Sequence, residues 1–171
     1  MKFPVINGTR HGNTVAALLI CALLSLAHTH PVQACPVKNE HIEITAGGHA
    51  LTTEVATSLA GHMCGLAFRQ DLPADHGMLF AYAQDQIIAF WMKDTRIHLS
   101  IAFIDAGGKI LEIHDMDPRD PGRRYISGQP ARYALEVNRG WFGEHGFDVG
   151  DSLEIDLQTG VDIYRYAPGR Q

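Results

Sequence analysis

Residues 99–116 read LSIAFIDAGGKILEIHDM, and this stretch decides the fold class. Leu99 to Asp105 is apolar and rich in aromatic or β-branched residues, a composition typical of a buried strand. Asp105 to Gly108 predicts a tight hairpin turn, because glycine accepts a positive φ without a steric penalty. Lys109 to Met116 then alternates polar and apolar residues, so we expect a strand that returns antiparallel to the first.

The segments on either side repeat this pattern of short strands and turns. His41 to Thr45 and Leu51 to Val55 flank Gly47-Gly48 and predict a first hairpin. Further strands are predicted over residues 77–82, 87–93, 131–137, 152–157 and 161–166. Many short strands separated by turns favour a mainly β fold. We predict a single β-sandwich or open-barrel-like domain with one or two short helices.

Two helical segments are expected between the strands. The first is predicted over 57–68, where offsets of four and three residues place Leu59, Met63 and Leu66 on one face. A second helical turn is predicted over 138–142. The tail after residue 167 is expected to be disordered. There are no internal repeats and no sign of a second domain.

The N-terminal segment is typical of a secretory signal peptide. It is basic through Lys2 and Arg10, and a short apolar run covers 15–27. That run is shorter than the roughly 20 residues that span a bilayer. We therefore predict a signal peptide over 1–34, cleavage near Ala34-Cys35, and one domain over 35–171 with its core at about 41–166. The mature protein is expected to be periplasmic or secreted.

Two cysteines remain after this cleavage, Cys35 and Cys64. A new N-terminal cysteine would suit a lipoprotein, but Gln33 and the polar residues at 28–31 interrupt the apolar approach, so we favour free export. An oxidising compartment would permit a disulfide between the two cysteines. Because the sequence does not bring the two sulfurs within bonding distance, we expect them to stay unpaired.

The charge of the mature chain excludes several classes of function. Lys2 and Arg10 account for two of the 14 basic residues, so 12 remain against 19 acidic ones, a net charge of −7. Nucleic-acid binding needs clustered basic residues to neutralise phosphates, and the chain has no basic stripe. Apart from the signal peptide, no stretch is apolar enough to cross a membrane. We predict no nucleic-acid partner and no transmembrane segment in the mature chain.

Several short phrases along the chain resemble the domain of unknown function 192 (DUF192) family. The most distinctive are Gly77-Met78-Leu79-Phe80 and Phe90-Trp91-Met92-Lys93-Asp94-Thr95. The others are Gly65-Leu66 with Phe68-Arg69, Leu72-Pro73, Ile101-Ala102-Phe103-Ile104-Asp105 with Gly108, and Leu135-Glu136. The resemblance spans nearly the whole mature chain and implies a compact, often exported β-sandwich-like domain. It implies no activity.

The chain departs from the family's pattern at two neighbouring positions. The family tends to have proline where this chain has His98, and aspartate where it has Ser100. A serine is not an acid or base at neutral pH. The departure therefore weakens any acid–base role that the resemblance would otherwise imply at this position.

The candidate ligand-binding residues centre on the Phe90–Lys93 phrase. On a strand, Phe90 and Met92 would face the core while Trp91 and Lys93 face outward. Trp91 and Lys93 could then form an aromatic and cationic wall for an acidic or sugar-like ligand. The alternative is that Lys93 only shields the indole ring.

Three further residues complete the candidate site. Alternation along 131–137 places Arg132 and Glu136 on the outward face, and either could meet Lys93 or Arg69 across the sheet. Asp94 follows Lys93 in a predicted turn. A carboxylate, a lysine and a tryptophan on one solvent-facing patch would make a plausible binding site.

Metal and covalent chemistry find little support in the sequence. The mature chain holds seven histidines, but no spacing gives His114-Asp115 or His62-Met63-Cys64 a common ligand face. We predict no metal and no cofactor. No nucleophile elbow and no phosphate-binding loop occurs.

We therefore predict a non-enzymatic binding module of the cell envelope, whose partner is a small molecule or another envelope protein. The alternative is a small hydrolase or transferase that uses Glu136, Asp94 or His114 as acid–base groups. A metal-handling protein is the third hypothesis.

Overall fold

Eight strands and two short helices lie in the part of the chain that the computed structural model describes, residues 35–46 and 48–157. They follow in the order β1 (Glu40–Ala46), β2 (His49–Ala56), α1 (Leu59–Cys64), β3 (His76–Gln86), β4 (Ala89–Phe90), β5 (Leu99–Ile104), β6 (Ile110–Met116), β7 (Tyr125–Ile126), β8 (Ala131–Asn138) and α2 (Trp141–Glu144). The predicted signal peptide and the predicted strand over 161–166 lie outside the described residues.

The strands form one large sheet and one small one. The six-stranded sheet has the order β1-β2-β3-β8-β5-β6, and β4 pairs with β7 in the two-stranded sheet. Strands β2 and β3 run parallel and are linked through α1, whereas the other neighbouring pairs run antiparallel. The predicted mainly β class with two short helices is confirmed. In the described part the large sheet does not close into a barrel.

The hairpin at 99–116 forms as predicted. Strands β5 and β6 pair antiparallel, and the side chain of Asp105 accepts hydrogen bonds from the backbone N–H groups of Gly107 and Lys109 at 2.8 and 3.0 Å. Gly108 has a φ of +85°, a backbone conformation that glycine adopts without strain. All six residues of β5 are buried, because the strand is central and both faces of the sheet are covered.

Each face of the large sheet carries its own hydrophobic core. One face packs Leu79, Leu135 and Val137 against Trp141 and Phe142 of α2. The other packs residues such as Met78, Phe80 and Ile101 against the segments that follow α1 and β4. Both faces of the sheet are buried. Alternate side chains of an inner strand therefore point into one hydrophobic core or the other, and neither set points to solvent.

Helix α1 is shorter than predicted, and its buried face differs. The Ser58 side chain caps it by accepting a hydrogen bond from the Gly61 N–H at 3.0 Å. It ends at Cys64, before Gly65, whose φ is +51°. Leu66 therefore lies beyond the helix and is buried, while Leu59 and Met63 remain 47% and 77% exposed. The prediction of one buried face shared by these three residues is wrong.

Two other predicted strands are mostly irregular. Only Ala89–Phe90 of the segment 87–93 is paired, in the small sheet. The segment 152–157 contributes isolated bridges from Ser152 to Lys109 and from Glu154 to Thr45. These short contacts hold the chain near the outer strands without adding a strand to the sheet.

Cys35 and Cys64 form a disulfide, which corrects the expectation that they stay unpaired. The β1–β2 hairpin is the reason, since its register places Glu40 opposite Val55. The residues before β1 therefore return beside the start of α1, and the two cysteine Cα atoms lie 5.8 Å apart. That separation falls within the usual range for a disulfide.

None of the helices in the described part of the chain has both the length and the hydrophobicity that a membrane span requires.

Candidate functional site

Glu136 is an acidic residue in a hydrophobic part of the sheet. Strand pairing places it in a row with Met78 on β3 and Ile101 on β5, and both of these neighbours are core residues. Only 4% of Glu136 is exposed. The prediction that Glu136 faces solvent is therefore wrong, because this face of β8 carries the second hydrophobic core.

The Glu136 carboxylate has no hydrogen-bond or ion-pair partner among the described residues. Burial without a partner disfavours the charged form and raises the pKa of Glu136 to about 8. Burial, together with the nearby Glu136 charge, also raises the pKa of the Tyr82 phenol. At neutral pH Glu136 is therefore largely protonated in this structure.

A small cavity of about 40 Å³ lies next to Glu136 and opens the interior to the protein surface. Its polar lining comes from His62, Lys93, Thr95 and Glu136. Its aromatic lining comes from Phe80, Phe90 and Trp91. The structure thus brings together three of the predicted site residues, Trp91, Lys93 and Glu136, although the carboxylate lies below the surface. Their role in ligand binding stays a prediction.

A larger groove of about 380 Å³ shares several lining residues with this cavity, among them His62, Met63, Phe90 and Trp91. Its walls are mostly apolar, and they include four large hydrophobic side chains that are about half exposed or more: Leu59, Met63, Ile87 and Trp91. An apolar concavity of this size is typical of a small-molecule site.

Two cations lie close to the Trp91 ring. The Lys93 Nζ is 5.6 Å and the Arg124 Cζ is 5.1 Å from the ring centroid, both within the range of a cation–π interaction. Neither cation forms an ion pair with a carboxylate of the described residues. The inward orientation of Phe90 and Met92 and the exposure of Trp91 and Lys93 agree with the predicted alternation.

The other two predicted site residues do not line either concavity. Arg69 binds Glu54 through its two terminal guanidinium nitrogens, Nη1 and Nη2, at 2.5 and 2.7 Å, so it is not available to Glu136. Asp94 adopts a φ of +58°, and its carbonyl accepts a hydrogen bond from the Phe68 N–H at 2.8 Å. Its role is to shape the turn after Lys93.

The ligand-binding residues predicted from the sequence did not include His62, which was considered only as a metal ligand, or Arg124. His62 lies on α1 with its Nε2 2.8 Å from the Ala56 carbonyl oxygen, and burial lowers its pKa. Arg124 comes from the long connection over 117–130, and loops of this length are often functional. No pattern in the sequence connects such a loop with a tryptophan 33 residues earlier.

The remaining histidines of the described residues do not form a metal centre. His114 contacts Glu112, with 2.9 Å between Nε2 and Oε2, and lies away from the cavity. Cys64 is engaged in the disulfide and does not join His62 and Met63 as a ligand. Within 35–46 and 48–157 no group of three or more His, Cys, Asp or Glu side chains is arranged to hold a metal ion.

Comparison with known proteins identifies relatives but no activity. The DUF192 family model, described as "Uncharacterized ACR", matches residues 42–155. A crystal structure from Sinorhizobium meliloti 1021, described as a "putative transcription regulator", is 34% identical with a TM-score of 0.64, over 69% of this chain and 95% of that one. A protein of unknown function from Novosphingobium aromaticivorans DSM 12444 is 29% identical with a TM-score of 0.62, over 74% of this chain and 90% of that one. No curated protein matches the sequence significantly.

Proposed function

Because the chain belongs to the DUF192 family, whose description names no activity, we propose a function from the geometry of its own site. The protein is a non-enzymatic binding protein of the cell envelope. It binds small molecules that combine an apolar body with an anionic group, and it does so in the groove beside Trp91. The apolar body lies in the groove, and the anionic group is held by Lys93 and Arg124.

One observation carries the proposal: an exposed apolar groove ends at an indole ring flanked by two cations without carboxylate partners. Monomeric proteins rarely expose such clusters without a use for them. Four of the six large exposed hydrophobic residues of the described chain line this one groove. No Asp or Glu of the described residues lines it, so its charge favours an anion.

Export is supported by two independent features. The first 34 residues have the composition of a signal peptide. The disulfide at Cys35 is of the kind that persists in oxidising compartments such as the periplasm. The same sulfur cannot carry both a disulfide and a lipid thioether, so the bond also favours free export over lipid attachment.

The Sinorhizobium relative is described as a "putative transcription regulator", but the charge of this chain does not favour DNA binding. Sequence-independent DNA affinity comes from lysine and arginine residues that neutralise phosphates. The chain after residue 34 has an excess of acidic residues, and four of its arginines pair with carboxylates: Arg69, Arg119, Arg132 and Arg139.

The binding proposal is tested by titrating the protein with 3-phenylpropionate, which has an aromatic body and one carboxylate. Trp91 is half exposed and Trp141 is buried, so a change in tryptophan fluorescence would report chiefly on the groove. Because Trp91→Ala removes this reporter, the variants are compared by isothermal titration calorimetry. We expect saturable binding that Trp91→Ala abolishes and that Arg124→Met weakens roughly tenfold, about 1.4 kcal/mol.

Matched controls come from the same chain. Arg123 neighbours Arg124, but its guanidinium lies 5.0 Å from the Tyr125 ring and it does not line the groove. Val149 is 61% exposed and also lies outside the groove. Arg123→Met and Val149→Ala should bind the ligand as the unmodified protein does. A ligand that binds equally well to Trp91→Ala would contradict the proposed site.

Export is tested separately by the intact mass of protein purified from the periplasm. The expected mass lacks the first 34 residues and the two hydrogens that disulfide formation removes. A mass that includes the N-terminal segment, or a covalently attached lipid, would contradict free export.

One observation favours acid–base catalysis as a second candidate. A buried carboxyl group with a pKa of about 8, beside His62 in a small cavity, is an arrangement that active sites use. Asp94 and His114, the other acid–base groups considered, do not line that cavity. In a catalyst, Glu136→Gln would stop turnover of a bound substrate and leave its binding intact.

A further inference from the structure

We infer that the natural ligand is a zwitterion, an α-amino acid with an apolar side chain, whose ammonium group binds Glu136 inside the cavity. This inference rests on the proposed function, because the groove must still accept the apolar side chain. It adds a second charged contact, of opposite sign, at a different residue.

The first argument is that Glu136 has no protein partner among the described residues. It is 4% exposed, it lines the cavity, and no described residue donates a hydrogen bond to it. Its oxygens reach the cavity and are not sealed off, because no fully buried side-chain nitrogen or oxygen of the described residues lacks a hydrogen-bond partner. A carboxyl group that meets only this small cavity is still unfavourable, and folded proteins normally supply a partner for it. A guest that carries N–H donors and a positive charge would be the missing partner.

The second argument is the lining around that carboxyl group. Phe80 and Phe90 pack edge to face, with ring centroids 4.7 Å apart, and together with Trp91 they form aromatic walls of the cavity. Aromatic rings attract organic cations, most strongly when water is excluded. A hard metal ion would require several oxygen ligands, and Glu136 is the only carboxylate among the described residues that line this cavity.

The third argument is size. The cavity of about 40 Å³ accommodates a group comparable to one or two water molecules. An ammonium group meets this limit, whereas an aromatic or branched side chain does not. The larger part of the guest must therefore lie in the adjoining groove, against side chains such as Met63, Ile87 and Trp91.

The fourth argument is the arrangement of charged and neutral side chains around the cavity. Two titratable groups around Glu136 carry little charge at neutral pH, since burial raises the pKa of Tyr82 and lowers that of His62. Lys93 also lines the cavity, but it is exposed and forms no ion pair with Glu136. A guest with an ammonium group at Glu136 and a carboxylate at Lys93 therefore matches the signs of the two charged residues that line the cavity.

The experiment compares three probes that differ by one charged group, using isothermal titration calorimetry on the full mature protein. L-phenylalanine has both charges, 3-phenylpropionate lacks the ammonium, and phenethylamine lacks the carboxylate. We expect L-phenylalanine to bind at least tenfold more tightly than either truncated probe. Glu136→Gln should reduce L-phenylalanine binding to the level of 3-phenylpropionate and change the binding of 3-phenylpropionate less than twofold.

A pH series gives a readout that needs no variant. The ammonium binds the ionised carboxylate, so Glu136 must lose its proton when the ligand binds. The affinity for L-phenylalanine should therefore rise between pH 6 and pH 8, by up to about tenfold per pH unit, and then level off near the Glu136 pKa of about 8. The affinity for 3-phenylpropionate should not rise over this range.

The outcomes separate the two proposals. If 3-phenylpropionate binds as tightly as L-phenylalanine, or if L-phenylalanine affinity falls as the pH rises, the ammonium contact is wrong and the groove proposal stands. If none of the three probes binds to the unmodified protein, both proposals fail. If phenethylamine alone binds, Glu136 holds a cation but the anionic contact at Lys93 and Arg124 is wrong.

Discussion

Glu54 and Glu136 are the same residue type on the same face of one sheet, yet only Glu54 has hydrogen-bond partners among the described residues. Glu54 on β2 lies opposite Met78 on β3, and Met78 lies opposite Glu136 on β8. Arg69 binds Glu54 with two charge-assisted hydrogen bonds, and Asn39 adds a third at 3.3 Å. Two strands away, Glu136 is more deeply buried and has no described partner.

The pKa values follow from this difference. Burial alone would raise the pKa of Glu54, but the hydrogen bonds and charge of Arg69 outweigh it and hold the pKa below its ordinary value. At Glu136 burial acts alone and raises the pKa to about 8. Arg69 pairs with Glu54 and leaves Glu136 without a protein partner, so Glu54 has a structural role and Glu136 is the residue for which we propose a ligand contact.

The largest expected effect is that Glu136→Gln stabilises the protein at alkaline pH. The carboxyl group has a higher pKa in the folded than in the unfolded chain, so the folded state binds more protons and loses stability as the pH rises from about 4.5 to 8. Glutamine removes this loss. We expect the variant to unfold with a free energy roughly 3–5 kcal/mol higher at pH 9 and nearly unchanged at pH 4.

Urea denaturation at the two pH values measures this difference. Comparing the two proteins at each pH cancels the titration of the other residues. A variant that is less stable at pH 9 would show that the carboxylate has a stabilising partner in the folded protein, and the contrast with Glu54 would then disappear.

A smaller effect of opposite sign is expected for Glu54→Gln. Its folded pKa is lowered, so its stabilisation is present above the unfolded pKa near 4.5 and is lost as the pH falls through the folded value. The pair is partly exposed, with side-chain exposures of 34% for Arg69 and 17% for Glu54, so solvent screening reduces its contribution. We expect a loss of about 1 kcal/mol at pH 7 that fades below pH 4.

Urea denaturation of Glu54→Gln measures this loss of stability. Arg69→Met is the matching variant, because it removes the other partner of the same ion pair. Removing Arg69 leaves Glu54 buried without its cation, so Glu54 should come to resemble Glu136, with a pKa above its ordinary value. A carboxyl NMR titration that finds the Glu54 pKa still lowered in Arg69→Met would show that Arg69 is not the cause of the difference.

The sequence predicted the long strands because local patterns determine them, but the segments 87–93 and 152–157 are mostly irregular. The hairpin over 99–116 and the β1–β2 hairpin follow from alternation and turn residues. Trp91 is exposed as predicted, but it follows β4 and does not lie on a strand. The burial of Glu136 does not, because alternation shows that Leu135 and Glu136 face opposite sides but not that both sides are covered. That depends on Leu66 and Met92 packing onto the second face.

The partners of the site residues were harder to predict, for a similar reason. The Cys35–Cys64 disulfide and the Arg69–Glu54 pair both depend on the register of β1 and β2 and on where α1 ends. Arg124 reaches Trp91 from an irregular loop. These contacts join residues that are distant in sequence, and no local pattern encodes them.

The smallest effect is expected at Arg132, a cation that lies on the same face of β8 as Glu136. It lies four residues before Glu136, which on a strand corresponds to about 13 Å, and it binds Asp85 at 2.8 Å. That distance exceeds the screening length of about 8 Å in physiological salt. Arg132→Ala should therefore cost about 0.5 kcal/mol or less, as exposed ion pairs do, and should leave the Glu136 pKa unchanged in a carboxyl NMR titration. If the pKa rises further in this variant, Arg132 acts as a distant counter-charge, and Glu136 is less isolated than its contacts imply.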